Sequence, residues 1–327
     1  TVMSITLNDI QKAKERIAPY ITETPLLRLH SLDAYLGCQV YAKAECMQIT
    51  GAFKLRGALN KICQLTEEQL QRGIVAASSG NHGKAVAYTA RMLHTKATIV
   101  MPYTAPPVKV EAIRALGAEI VQCETSQRFQ IAQALCQERG AVMVPPYNDE
   151  EIMAGQGTAG LELITQCPAL SRVIVPTSGG GLLSGISTAV KGISPKTLVY
   201  GAEPAVLPRY STSLRNHVRT KVEQKSSIAD ALVAQIPGEK CFPCVQAHAD
   251  GVVPVEDRDT LQAMKLLLME GKLLCEPSSA IGIGAVLAGL IHVQPEEKVC
   301  FVISGGSVGF EQLRMLDDVA LPDVIAR

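Results

Sequence analysis

The chain has 327 residues, with Lys and Arg totalling 31 and Asp and Glu totalling 31. At roughly 150 residues per domain this is about two domains of zero formal charge, with no basic stripe to neutralise phosphates, which excludes a nucleic acid as partner. Hydrophobic residues make up 47% but aromatics only 4%, with no Trp, so the core is built from Ala, Val, Ile and Leu and suits strands buried on both faces by helices.

In chain order, Thr6 or Asn8 can cap a first amphipathic helix over residues 7–18, with Ile10, Ala13 and Ile17 on one face and Pro19 as its stop. Residues 1–12 contain no charged stretch leading into an apolar run, and no 18 consecutive apolar residues occur anywhere. From Gly73 a strand, loop and helix alternation begins: GIVAA, SSGNHG and KAVAYTARML, then ATIVM and PPVKVEAIRALG, then AEIVQC. Such alternation predicts right-handed βαβ units and a parallel sheet. After Pro145 and Pro146 it restarts, with a strand at 172–175, a loop at 177–181, a helix at 182–191 and a strand at 198–202. Residues 204–250 carry mixed polar and Pro signals and give no clear element. A strand at 251–255, a helix at 257–270 and a strand at 298–303 follow. The ten cysteines are scattered, unlike a secreted disulfide framework, and read as reduced thiols of a soluble, cytoplasmic protein.

Three strand-to-helix turns are rich in small residues: Ser78-Ser79-Gly80-Asn81-His82-Gly83, Thr177-Ser178-Gly179-Gly180-Gly181 and Ser304-Gly305-Gly306-Ser307. Glycine lets backbone N–H groups approach an anion at the positive end of a helix, and in a parallel sheet these turns line the ligand crevice. No GxxxxGK[ST] loop is present, which argues against a Walker-type nucleotide site. The run from Gly282 to Gly289 lacks a glycine at the sixth position and a leading strand, and is read as a close-packed helix face. Cys241-Phe242-Pro243-Cys244 has only His248 near it, too few ligands for zinc, and is read as two loop thiols.

The segment TGAFKLRGA, at 50–58, completes the pattern. TGAFKLRGA, SSGNHG, SGGGL, CEPSSA and SGGS, in this order, resemble the pyridoxal-phosphate enzymes of the threonine dehydratase and serine racemase family. The resemblance runs from about residue 5 to about residue 308. It implies an α/β fold of type II, with a large cofactor-binding domain over 1–70 and 149–327 and a small domain over 73–148 inserted in it and closing over the active site.

It also implies roles. Lys54 would condense with the aldehyde of pyridoxal 5′-phosphate and then act as base at the substrate Cα, which requires a neutral amine in a desolvated site. Phe53 would pack on one face of the ring. The backbone of Ser178, Gly179, Gly180, Gly181 and Leu182 would hold the phosphate, Asn81 the phenolic oxygen and Ser304 the pyridine nitrogen, with Glu276 beside the ring. A hydroxyl in place of a carboxylate at that nitrogen would leave it largely unprotonated. The loop of Ser78, Ser79, Gly80, Asn81 and His82 would receive the substrate carboxylate, His82 otherwise serving packing and hydrogen bonding. Ser79 could also return a proton opposite Lys54, which makes racemisation chemically feasible.

Departures from the family pattern are Ala52 for Ser, Ser178 for the first of four glycines, and Ser307 where Asn is common. Glu203 stands where metal-activated relatives hold a divalent cation, but the sixth residue after it is Arg209, whose guanidinium cannot coordinate a cation and could pair with Glu203. No metal site is therefore expected. The chain ends soon after SGGS, so no feedback domain is expected either.

The expectation is an ammonia-lyase converting a β-hydroxy amino acid, by default L-threonine or L-serine, to a 2-oxo acid and ammonia. The rivals are a serine or other amino-acid racemase, a dehydratase of 3-hydroxyaspartate or of a hydroxyectoine-derived substrate, and an inactive ligand-binding homologue. A homo-oligomer, dimer or tetramer, without nucleic-acid or membrane partners is expected.

Overall fold

The structure is a computed structural model that describes residues 3–325. Residues 1, 2, 326 and 327, at the ends of the expected large domain, lie outside the described residues. Among the described residues, ten strands form two separate sheets. The larger has six strands: β1 (Leu26–Arg28), β2 (Gln39–Ala44), β7 (Arg172–Pro176), β8 (Leu198–Pro204), β9 (Gly251–Val255) and β10 (Lys298–Ile303), in the order β1-β2-β10-β7-β8-β9. All neighbours in it are parallel except the pair β1 and β2. The smaller sheet, β5-β4-β3-β6, is wholly parallel and is made by β3 (Ile74–Ala77), β4 (Ala97–Pro102), β5 (Glu119–Cys123) and β6 (Val142–Met143). Strands buried on both faces read as continuous apolar runs. Every residue of β3 and β4 is buried.

The expected elements of the alternating segments form close to their anticipated ends. The first helix runs Leu7–Ile17, where Thr6 caps it through a capping box with Asp9, and Pro19 sits inside a following short turn of 3-10 helix instead of ending the element outright. Strands β1 and β2 carried no clear sequence signal: β1 has three residues, and β2 follows a single turn of helix. Another correction concerns the two thiols of the CFPC segment. They are not in a loop; Cys241 and Cys244 are buried within the helix Cys241–His248. The run beginning at Gly282 is helical, Ile281–Leu287, and a Cβ on Gly282 would come 2.9 Å from the Ile174 side chain, so the small residue serves close packing on β7.

The unreadable segment contains the helix Arg209–Asn216 and then an irregular run over 217–240. Its shape is dictated by bonds to distant residues: Ala231 N–H donates to Ser278 Oγ at 3.1 Å, Ala234 N–H to Ser178 Oγ at 3.2 Å and Gly238 N–H to the Gly179 carbonyl at 2.9 Å. Local periodicity carries no trace of such partners.

The helix Glu150–Gln166 is the central post, buried at every position over 152–164. A Cβ on Gly155 would lie 2.6 Å from the Arg56 carbonyl oxygen, and one on Gly157 would lie 2.9 Å from the Gly185 carbonyl. The helices Lys54–Ile62 and Gly181–Ile193 therefore approach this post backbone to backbone. A fully buried charge network fixes the first of them. Arg56 pairs with Glu45 at 2.7 Å and Glu162 at 2.5 Å, and Lys43 pairs with Glu162 at 3.0 Å. Two cations meet two anions, and removing any one would strand a buried charge, which typically costs about 3–5 kcal/mol.

Candidate active site

Lys54 opens its helix, and the strand-like segment before it is sewn to the turn after β10. Phe53 N–H donates to the Ser304 carbonyl at 3.0 Å, Gly306 N–H to the Gly51 carbonyl at 2.8 Å, and Ala52 bridges Gly305. The first and last motifs of the sequence thus become neighbours. The Lys54 ammonium donates to the Pro146 carbonyl at 2.7 Å and stands 5.2 Å from the Phe53 ring centre. Part of its side chain borders open space, but its surroundings desolvate the charge and lower its pKa from 10.5 to about 8, against the weaker opposing pull of Cys241 and Glu276. A substantial neutral fraction at mildly alkaline pH is the property a nucleophilic or basic lysine needs.

Tyr147, next to Pro146, covers the glycine loop. A Cβ on Gly179 would come 2.3 Å from Cδ2 and Cε2 of the Tyr147 ring, and one on Gly181 would lie 2.9 Å from Tyr147 Cβ. Gly180 has φ +101° and faces the Tyr210 hydroxyl so closely that no side chain fits. The Gly179 carbonyl accepts from Tyr210 Oη at 2.9 Å and Gly238 N–H at 2.9 Å, which pins the loop from behind. Gly180 caps the helix Gly181–Ile193 without any side-chain bond. The first amides of that helix therefore have no side-chain acceptor at its positive end, and Leu182 beside them is buried.

The helix Asn81–Met92 is likewise capped only by a glycine, Gly80, while Ser78 Oγ accepts from the Gly80 N–H at 3.2 Å. Ser78, Ser79, Gly80 and Asn81 are half-buried. Asn81 Nδ2 donates to both Glu276 oxygens at 3.0 Å, and Asn81 Oδ1 accepts from Ser307 Oγ at 2.5 Å. Ser307 N–H also donates to Glu276 at 3.0 Å. Burial pushes the Glu276 carboxyl up to about 6 in spite of these donors. His82 is buried with Nε2 on the Val144 carbonyl at 2.8 Å, and desolvation, reinforced by the Lys54 charge, holds its pKa near 3, so its ring is neutral. Ser304 is buried, with Oγ 3.0 Å from Ser279 Oγ.

The motifs that were separate in sequence therefore fall into two linked groups. Phe53, Lys54, Asn81, Glu276 and Ser304 converge through the paired segments and the Asn81–Glu276 contact, and the glycine loop joins them through the consecutive residues Pro146 and Tyr147. Residues carrying no motif complete the arrangement, Tyr210 and Gly238 behind the loop and Tyr147 against it, while Ser279, inside CEPSSA but given no role by the sequence, lies beside Ser304. Only the glycines hinted at them, because a glycine forced by crowding needs a large neighbour.

Glu203 and Arg209 are both fully buried and 3.5 Å apart. Glu203 accepts from the N–H groups of Tyr210 at 2.9 Å and Ser211 at 2.8 Å, and Arg209 donates to the carbonyls of Thr177 at 2.9 Å and Leu232 at 2.5 Å. Burial raises the Glu203 pKa, and the guanidinium is the main influence opposing it. No cluster of three or more His, Cys, Asp or Glu side chains occurs among the described residues, and no helix there is long and apolar enough to cross a membrane.

Residues 17–305 match a family described as pyridoxal-phosphate dependent enzyme. An L-threonine ammonia-lyase of Thermotoga maritima is 38% identical over 96% of this chain and 78% of its own length. An L-threo-3-hydroxyaspartate ammonia-lyase of Saccharomyces cerevisiae is 36% identical over 95% of this chain and 96% of its own. Among solved structures, maize serine racemase superposes with a TM-score of 0.91 at 36% identity, covering 95% of this chain and 96% of that one.

Proposed function

The chain belongs to the family of pyridoxal-phosphate-dependent enzymes, and from that premise we propose that it is an ammonia-lyase converting L-threonine or L-serine, by α,β-elimination, to a 2-oxo acid and ammonia. The observation that carries this reading is the desolvated Lys54 amine, joined through Pro146 and Tyr147 to an uncapped, glycine-lined helix N-terminus. These groups suit pyridoxal phosphate: a lysine for its aldehyde, free amides for its phosphate, and a hydroxyl and an amide for its ring. When bound, the cofactor supplies an electron sink for the electrons released at the substrate Cα.

In this reading Ser178, Gly179, Gly180, Gly181 and Leu182 bind the phosphate through their backbone, and Phe53 packs against the ring. Asn81 donates to the phenolic oxygen with the amide hydrogen that Glu276 leaves free, and Ser304 meets the ring nitrogen. Ser78, Ser79, Gly80, Asn81 and His82 receive the substrate carboxylate through their backbone and the Ser78 hydroxyl. The His82 ring, held on Val144, only shapes the loop. The neutral amine of Lys54 takes the α-proton. Residues 73–148, which carry the smaller sheet, would form a domain inserted within 1–70 and 149–327 and close over the site, excluding water. The name of the yeast relative supports 3-hydroxyaspartate as an alternative substrate, and likeness to maize serine racemase supports Ser79 as a second base for racemisation.

The test is a panel of β-hydroxy amino acids assayed for 2-oxo acid, with chiral analysis of the amino acid that remains. Release of 2-oxo acid from threonine or serine is expected. Racemised substrate without 2-oxo acid would make the chain a racemase, and turnover of hydroxyaspartate alone would reassign the substrate. A homo-oligomer is proposed as the working form, to be measured by light scattering.

A further inference from the structure

Ser279, in the turn Pro277–Ala280, is buried, and its Oγ has three neighbours. They are the Gly305 N–H at 2.8 Å, the Gly305 carbonyl at 2.7 Å and Ser304 Oγ at 3.0 Å. A hydroxyl has one proton and two lone pairs, so three neighbours leave little freedom. The Gly305 amide only donates, and occupies one lone pair. The Gly305 carbonyl only accepts; it is the nearer acceptor and takes the proton, alongside the Glu276 N–H at 3.1 Å. The second lone pair of Ser279 then faces Ser304, whose hydroxyl is drawn to donate inward. Donating inward leaves the Ser304 lone pairs directed at whatever lies on its other side.

We propose that Ser279 is a positioning residue that competes for the Ser304 proton, so that Ser304 can accept a hydrogen bond from the cofactor's ring nitrogen as well as donate one to it. The share of protonated ring nitrogen is thereby higher than a lone serine hydroxyl would allow. This rests on the reading above, in which Ser304 meets that nitrogen. It also modifies the expectation that a hydroxyl leaves the nitrogen largely unprotonated. Without Ser279, a Ser304 hydroxyl that accepted from a ring N–H would have its own proton stranded without an acceptor in a buried site, which is unfavourable. It would donate to the ring nitrogen instead and favour the unprotonated ring. The hydroxyl pair acts as a small network in which one proton's direction sets the other's.

The experiment reconstitutes the full chain with pyridoxal phosphate carrying 15N in the ring and records the nitrogen resonance at one pH near neutrality, without substrate. In Ser279→Ala the resonance is expected to move toward the unprotonated position, and in Ser279→Thr, which keeps the hydroxyl, to return toward that of the native protein. Should the alanine variant fail to fold, Ser279→Cys, whose thiol is a poor acceptor, is expected to move it the same way. An unchanged resonance in a folded variant, or a move toward the protonated position, overturns the proposal. Ser304→Ala separates it from the reading beneath: if that substitution leaves the resonance unmoved, Ser304 does not meet the nitrogen and both fail.

Discussion

Arg209 and Glu203 form a buried ion pair 3.5 Å apart, with the guanidinium also bonded to the carbonyls of Thr177 and Leu232. The pair sits behind the glycine loop, because Thr177 precedes Ser178 and Tyr210 follows Arg209. Arg209→Met is expected to leave Glu203 an uncompensated buried charge and to destabilise the fold by about 3–5 kcal/mol, whereas Arg209→Met with Glu203→Gln should recover part of the loss. Denaturant unfolding of the single and double variants measures both. With a guanidinium supplying the positive charge, activity is expected to persist after exhaustive chelation; loss on chelation with recovery on adding magnesium would contradict this.

Gly179 is expected to tolerate no side chain because a Cβ would clash with the Tyr147 ring at 2.3 Å. Gly179→Ala should abolish the visible absorbance of cofactor-loaded protein while far-UV circular dichroism stays native. Adding Tyr147→Ala opens the space and should restore a measurable part of cofactor binding. A double variant no better than the single one would show that the loop's own backbone, not the ring above it, sets the requirement.

The Lys54 amine, lowered to about 8, predicts how fast the cofactor attaches. Only the neutral amine attacks an aldehyde. The attachment rate of cofactor-stripped protein, followed by absorbance in stopped flow, should climb with pH and level off above about 8. A lysine at its ordinary 10.5 would still be climbing tenfold per unit there. Lys54→Ala should show no covalent attachment at any pH.

Glu276 makes stability depend on pH in a predictable direction. Its folded pKa, about 6, lies above the ordinary 4.5, so between these values the folded state binds more protons than the unfolded one. The stabilisation is fully present below about 4.5 and is lost as pH rises through about 6, a change on the order of 2 kcal/mol. Unfolding midpoints across this range for the native chain and Glu276→Gln should differ in slope, the variant lacking this contribution.

The alternating strand and helix grammar was legible wherever burial on both faces gives an uninterrupted apolar run, as in β3 and β4. It failed at β1, whose three residues are all only partly buried and whose antiparallel pairing with β2 is fixed by tertiary context. The candidate site was legible where the proposed chemistry demands a particular residue type: Lys54, the glycine turns, Asn81 and Ser304. Its supports were not. Tyr210 and Gly238 bind the Gly179 carbonyl from far along the chain, and no local pattern marks such a partner.

Strand β10 lies in the middle of the larger sheet, between β2 and β7, and pairs residues 298–303 with residues 39–44. Loop closure over so long a span must precede any gain from the pairing, so this step is expected to come late and slowly. A nascent chain emerges at roughly 5–20 residues per second. For much of its synthesis it therefore exposes one bare edge of β2 and one of β7, each a template for pairing with another chain. The smaller sheet, whose strands all lie between Ile74 and Met143, has no such wait. The consequence is a division of labour in time: the strands of the smaller sheet can pair while later residues are still being made, and the Lys54 side of the site meets Ser304 only after β10 has left the ribosome.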